Sequence, residues 1–339
     1  MLKFTRRPRI AMPYKRPSRS ENKKTRITEK SANDGWVKHG GRVFTRCLLA
    51  SLLLTCMTLG MKRASAENYA VVIGYTSSKD LPPPPSPGLA TKLPDAYNVQ
   101  EGLKMLGWKQ ENLQVRDNEF DADGNPKPDG SDPTKQKVID DLNWLLSMNG
   151  KADVVLFHYA GHTDSRENSK EADGWDEGIV LTDGTLWDDE FTEIIKEFCG
   201  KSKAVIIQVD ACWAEGLIDD PENVIKQCPN MHFGFSSTED RTSTSHPTTA
   251  LQGHAYTYYK WVEGFGYDLD ENWQPKKTVV ADKNEDGKVT VEELEGYATT
   301  RVKNRTQNQQ QPGSYDGNLQ EEIPLCAFAG VDDFFHHTP

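Results

Sequence analysis

The sequence predicts an α/β fold: a mainly parallel β-sheet with helices on both faces. Three observations carry that expectation. Apolar, β-branched runs of strand length recur at 68–75, 152–162, 204–210 and 231–236, and they are too uniformly apolar for strands with one wet face. Amphipathic segments of helix length lie between them, the alternation of a crossover-connected sheet. Two of the runs end abruptly in chemistry-bearing residues, Gly161-His162 and Asp210-Ala-Cys212, and open α/β sheets place their sites at such strand ends.

Taken in order, 68–75 reads as the first buried strand and the prolines of 82–87 stiffen a surface loop. Leu93-Pro94-Asp95-Ala96 opens a helix running to about Leu106. A short strand at 113–116 and a Gly/Asp/Pro-rich loop at 121–133 follow. The next helix is expected over 135–148, with Val138, Leu142, Leu145 and Leu146 on one face. After the strand ending at His162, residues 164–176 read as a polar, acidic loop and 179–182 as a small hairpin arm. A helix is expected over 188–198, its acidic residues at the N-terminus as the dipole prefers. Beyond the strand ending at Asp210 come a strand at 231–236, a Tyr/Trp-rich helix at 253–264 and a helix at 291–303. There is no internal repeat.

Charge divides the 339 residues unevenly. Residues 1–66 carry a net +13 and residues 67–339 a net −24. The acidic body is a poor polyanion binder, which argues against nucleic acid, and suits cations or basic substrates. The head reads as targeting sequence. Arg42 and Arg46 precede an apolar stretch from Cys47 to Met61, and Ala64-Ser65-Ala66 offers a small-x-small cleavage site. The expected organisation is a basic, structureless head at 1–41, which a misassigned start would also produce, a signal peptide at 42–66, and one domain at 67–335. Export to a secreted or periplasmic location follows, with a membrane anchor if the signal stays uncleaved and no span in the mature chain. That compartment permits disulfides among Cys199, Cys212, Cys228 and Cys326. If Cys212 is a nucleophile, one pair forms at most and one thiol is odd.

A thiolate attacks carbonyl carbon, and an ordinary cysteine is mostly protonated at neutral pH. A histidine within reach corrects that, and nearby backbone N–H groups can hold the oxyanion. Cys212 and His162 are the expected pair, with the N–H groups of Gly161 and Cys212 as oxyanion donors. Alone, either side chain is more often structural; their matched strand-end placement is what favours chemistry. His158 and His162 lie on a strand and turn, without the helical spacing of a metal pair.

These residues give the chain a resemblance to the caspase/metacaspase clan of cysteine peptidases, which also includes legumains. Tyr159-Ala-Gly161-His162 matches the clan's Tyr-x-Gly-His-Gly up to Thr163, and Asp210 to Gly216 loosely matches Asp-x-Cys-x-x-Gly. Asp173-Gly-Trp-Asp-Glu177 and Trp187-Asp-Asp-Glu190 resemble metacaspase stretches between those motifs. The resemblance covers about 68–330 and is nearest to bacterial metacaspase-like proteins. It implies a caspase-like three-layer sandwich, His162 as general base and Cys212 as nucleophile. It further implies cleavage after Lys or Arg, because Asp95 falls at a family Asn-Asp-Ala position and Asp210 two residues before the cysteine. The other reading is that Asp95 caps its helix and Asp210 ties down the turn. Calcium-binding acids would carry over to Asp173 or Asp176, Asp188, Asp189 and, less surely, Asp219 or Asp220.

A second calcium signal is independent of the resemblance. Asp282, Asn284, Asp286, Thr290 and Glu293 occupy positions 1, 3, 5, 9 and 12 of an EF-hand-type loop, with Gly287 at 6 and the Lys288 carbonyl at 7. The segment before it does not look helical, so this is a lone loop. The expected function is a monomeric, calcium-binding cysteine endopeptidase acting on proteins or peptides. The alternatives are a catalytically degenerate, calcium-stabilised protein-binding relative and a legumain-like, Asn-specific peptidase. Lys226 and Arg241 are candidate self-cleavage points by position.

Overall fold

The computed structural model describes residues 67–75, 94–118, 131–169, 171, 174–218, 220–244, 253–268, 274–275, 279–317 and 323–327. The basic head, the signal segment, the prolines of 82–87, Asp173 and Asp219 lie outside the described residues.

In chain order the elements are β1 (Tyr69–Gly74), α1 (Pro94–Met105), β2 (Leu113–Asp117), α2 (Lys135–Met148), β3 (Val154–Ala160), β4 (Thr163–Glu167), β5 (Trp175–Leu181), β6 (Gly184–Trp187) and α3 (Asp188–Lys196). Then follow β7 (Ala204–Asp210), α4 (Pro221–Lys226), β8 (Met231–Phe235), α5 (Ala255–Tyr258), which runs on into a π-turn over Tyr259–Glu263, and the two-residue strands β9 (Tyr267–Asp268) and β10 (Gln274–Pro275). The last elements are β11 (Lys288–Thr290), α6 (Val291–Arg305), β12 (Gly313–Asp316) and β13 (Pro324–Ala327).

Six strands form the main sheet in the order β12-β8-β7-β3-β1-β2. All neighbours are parallel except β12, which pairs antiparallel with β8 at the edge. Every residue of β3 and β7 is buried, so successive side chains serve opposite layers. Ala70, Val72, Leu156 and Ile206 pack with α1, α5 and its π-turn, and α6, including Val99, Leu103, Trp261 and Leu294. Val71, Ile73, Phe157 and Ile207 pack on the other face with α2 and α3, including Leu142, Leu145, Phe191 and Ile195. The expected α/β architecture with helices on both faces is therefore the observed one. None of the described helices is long and apolar enough to cross a membrane.

The stretch 164–176, expected as a loop, is strand at its two ends, through Glu167 in β4 and from Trp175 in β5. β4 pairs antiparallel with β5, and β5 with β6, in a separate three-stranded sheet. β4 is missed because its exposed Asp164, Arg166 and Glu167 carry no apolar alternation, and its backbone is recruited by the apolar β5 instead. The helix expected at 253–264 starts at Ala255 and is only one α-turn before it widens to the π-turn.

Candidate active site

Register brings the two motifs together. β3 and β7 run parallel with partners 50 residues apart, from Val154↔Ala204 to Ala160↔Asp210. His162 and Cys212 keep that same offset two residues beyond the last pair, so both emerge at the carboxyl edge of adjacent central strands. The hydroxyl of Thr163 donates to the carbonyl of Cys212 and joins the two turns directly.

The motif residues have local reasons. The Tyr159 hydroxyl reaches the carbonyls of His162 at 2.7 Å and Val180 at 2.8 Å, pinning the histidine turn to β5. A Cβ on Gly161 would stand 2.6 Å from that hydroxyl, so only glycine fits. A Cβ on Gly216 would meet the Glu177 carboxylate at 2.8 Å, which explains the glycine after the cysteine. Trp213 takes the left-handed conformation (φ 54°) and donates its N–H to the Arg241 carbonyl at 2.9 Å. Such a backbone costs a bulky residue on the order of 1 kcal/mol, and here it turns the chain sharply away from Cys212.

Cys212 is a free thiol, half-buried, 3.9 Å from the Ser243 carbonyl to which it donates. Burial pushes its pKa up, and the charge of Asp210 acts in the same direction. The resting thiol is thus neutral, and attack needs a base at the moment of reaction. His162 stacks edge-on to Tyr75 with ring centroids 6.2 Å apart. His158 lies on the buried strand, its Nδ1 facing Gln208 Oε1 at 3.4 Å, and burial drives its pKa down to about 4. It is a neutral core histidine.

The expected oxyanion role of Gly161 needs correction for this conformation. Its N–H donates to the Asp210 carbonyl at 3.0 Å, the last rung of the β3–β7 ladder. A ladder rung outlasts the strand by one residue because the register does, and it consumes the donor.

Asp95 and Asp210 are both buried and both engaged. Asp95 accepts the His254 backbone N–H at 2.8 Å and faces His254 Nδ1 at 2.9 Å. Asp210 accepts the Ser243 hydroxyl at 2.7 Å and the Thr257 N–H and hydroxyl at 2.8 and 2.9 Å. His254 links them. Burial pulls its pKa down, but the charges of Asp95 and Asp210 and the Asp95 hydrogen bond outweigh this and raise it to about 9. A half-buried cation therefore already lies in the field of the two carboxylates.

Sequence reasoning missed the elements that hold this edge from behind. Ser243 uses its hydroxyl on Asp210 and its carbonyl on the Cys212 thiol. Fully buried Gln310 bonds Ser243 Oγ, Thr244 N and the Ser236 carbonyl, tying the distant C-terminal segment to the same loop. Lys260 is fully buried beside Glu295 and Tyr256. No local pattern announces polar groups that meet only across 31 to 74 residues.

Two acidic constellations could hold a cation. In the EF-hand-type loop, Asp282 accepts the N–H groups of Asp286 and Gly287 at 3.2 and 3.0 Å, and Asn284 and Asp286 accept from Asp286 and Lys288 at 3.0 and 2.9 Å. Glu293 folds back onto Lys283 N at 3.1 Å and Thr290 N at 3.2 Å, so position 12 closes on the start of the loop. Gly287 supplies the positive φ (77°) that position 6 requires. This donor set fits a hard cation. Among the described residues the loop is preceded by a turn and no helix, and its β11 pairs with β13.

The second constellation places Asp176, Asp189 and Glu171 with carboxylate oxygens within 4.8 Å of one another. Asp176 is bonded by Arg166 at 2.6 Å and by Asn168. Arg166 also lies 3.9 Å over the Trp187 ring. Asp188 stands apart from this group: its oxygens accept the N–H groups of Glu177 and Asp189 at 2.7 and 2.8 Å, joining β5 to the first turn of α3.

Residues 69–221 match the family model "Metacaspase, peptidase C14 domain". Over this segment the chain is similar to metacaspase peptidase domains. Schizosaccharomyces pombe Metacaspase-1 is 30% identical to the chain over 140 residues, covering 38% of this chain and 31% of that protein. Mycosarcoma maydis Metacaspase-1 is 29% identical over 134 residues, 38% of this chain and 32% of that one. The matched part of the metacaspase-like chain thus spans about a third of the length of these relatives. Among solved structures, protein GSU0716 from Geobacter sulfurreducens is similar with a TM-score of 0.47 and 16% identity, over 77% of this chain and 99% of that chain. The metacaspase-like segment runs from β1 to the start of α4. Ser243, His254 and Thr257, which engage its Asp95 and Asp210, come from beyond it.

Proposed function

We propose that this protein is a cysteine endopeptidase of metacaspase type, with Cys212 as nucleophile and His162 as general base. The observation that carries the reading is the shared 50-residue register, which sets both side chains at one edge of β3 and β7. His162 takes the thiol proton as Sγ attacks the scissile carbonyl carbon. It returns the proton to the departing amine, leaving a thioester that water then hydrolyses. The test is peptide hydrolysis by Cys212→Ala and His162→Ala variants. Both are expected to be inactive, and retained cleavage by Cys212→Ala would overturn the reading.

Cleavage after Lys or Arg is the proposed specificity, supported by the stabilisation of a cation at His254 by Asp95 and Asp210. Hydrolysis of Arg, Lys, Asn and Asp reporters checks it: preference for Asp defeats the acidic-field argument, and preference for Asn selects the legumain-like alternative. Calcium is the proposed ligand of Asp282, Asn284, Asp286, the Lys288 carbonyl, Thr290 and Glu293, where it would brace α6. At Asp176 and Asp189 it would have to displace the Arg166 guanidinium. Export is supported by the Cys199–Cys228 disulfide, with Cα atoms 5.0 Å apart. Amino-terminal sequencing of the mature protein would locate the expected cut after Ala66. Arg241, whose carbonyl holds the Trp213 N–H, is better placed for self-cleavage than Lys226 at a helix end.

A second reading, an inactive protein-binding relative, is favoured by the commitment of the Gly161 N–H to Asp210. Rapid labelling of Cys212 by a thiol-reactive peptide analogue is expected of the enzyme and not of the inactive relative.

A further inference from the structure

We propose that His232, Glu292 and Asp316 form a binding site for a divalent transition-metal cation of the Zn2+ class, separate from both calcium constellations and from Cys212. His232 is the second residue of β8, at the end of the sheet opposite to the catalytic edge. It stands directly across from Asp316 in the antiparallel β8–β12 pair, where side chains share one face. Glu292, in the first turn of α6, completes the group, and one ligand atom from each residue lies within 4.8 Å of the others.

The imidazole itself points to a ligand. His232 is 1% exposed, and neither ring nitrogen has a hydrogen-bond partner. Burying such nitrogens unsatisfied costs about 1–3 kcal/mol, so a native chain is expected to satisfy them. The nearest acid on α6 other than Glu292 is Glu295, whose carboxylate is 3.9 Å from His232 Nε2 and is already engaged by Tyr256 at 2.6 Å and by Lys260. Glu292 repeats the pattern: Oε2 accepts the Ile323 N–H at 3.0 Å, which fixes the side chain, while Oε1 is buried without a partner. A cation bound between them would take one imidazole nitrogen and Glu292 Oε1 at once, leaving Nε2 to face Glu295 at 3.9 Å if Nδ1 is the ligand.

The donor chemistry selects the ion. One imidazole nitrogen with two carboxylates suits Zn2+ and its first-row neighbours, with solvent completing the coordination, whereas Ca2+ and Mg2+ prefer all-oxygen shells. Bound there, the ion would strap α6 and the edge strand β12 to β8 and stabilise the folded chain.

The test uses the full chain carrying Cys212→Ala, so that the catalytic thiol does not bind metal. Zn2+ binding is measured by equilibrium dialysis in excess Ca2+, and Co2+ absorption reports nitrogen ligation. The expected result is a loss of one bound Zn2+ per chain in His232→Gln, and affinity lowered about 10–100-fold in Asp316→Asn and Glu292→Gln. Asp316 is exposed, so Asp316→Asn keeps the test valid if His232→Gln misfolds. Stoichiometry and affinity unchanged by Asp316→Asn and Glu292→Gln, or displacement of Zn2+ by Ca2+ at comparable concentration, would overturn the proposal.

Discussion

Thr163 donates its hydroxyl to the backbone carbonyl of Cys212, so the residue after the candidate base is bonded to the candidate nucleophile. The clan resemblance has glycine at this position, and glycine cannot make the bond. Thr163→Val keeps the shape and removes the donor. It is expected to lower kcat/KM about 5- to 10-fold, the equivalent of roughly 1 kcal/mol, with Thr163→Ser retaining most activity. Steady-state kinetics on a Lys or Arg reporter checks this.

Ser243 supports the same edge from outside the family-matched segment. Ser243→Ala leaves Asp210 Oδ1 and Gln310 Nε2 each short of a partner. The expected cost is about 1–3 kcal/mol of stability, visible as a lower urea midpoint, with reduced turnover because the loop holding the Cys212 thiol loosens.

His254 makes stability depend on pH. Its folded pKa of about 9 lies above the ordinary 6.5, so its contribution is full below about 6.5 and is lost as pH rises through 9. The groups acting on it are Asp95 and Asp210, which favour its charge, and His158, which burial keeps neutral. His254→Gln is expected to flatten the decline in unfolding free energy between about pH 6.5 and 9, measured by urea titration across that range. An unchanged slope would remove the His254–Asp95 ion pair from the account.

For the EF-hand-type loop, calcium is expected to raise the Tm of the parent protein by several degrees, and Asp282→Ala to abolish the rise. Gly287→Ala introduces a Cβ at φ 77° and is expected to cost about 1 kcal/mol even without calcium. Thermal melts with calcium and with a chelator separate the two effects.

Reduction of Cys199–Cys228 opens a loop of 29 residues and is expected to remove roughly 3–4 kcal/mol of stability. Cys212 is outside the bridge, so activity at temperatures well below the melt should survive mild reductant. Cys326 lies in β13, and its side chain is outside the described residues.

Much of the fold was legible because its signals are local. Uniformly apolar runs became β1, β3, β7 and β8, and the helix expected over 135–148 has those limits, opened by Thr134 accepting the Lys137 N–H. The matched strand-end motifs placed His162 and Cys212 at one edge, and among the described residues no helix enters the calcium-type loop. β4 was illegible because an exposed, charged strand has no apolar period of its own.

The sequence by itself determined the element types, the two strand ends that carry a cysteine and a histidine, and the spacing of the oxygen ligands in the 282–293 loop. Only the tertiary structure decided where polar groups are spent: Asp95 on His254, Asp210 on Ser243 and Thr257, the Gly161 N–H on the ladder, and His232 left beside Glu292 and Asp316. The physical reason is that burial and periodicity are written residue by residue. The partner of a buried polar group is fixed by strand register and layer packing, which join residues tens to more than a hundred positions apart.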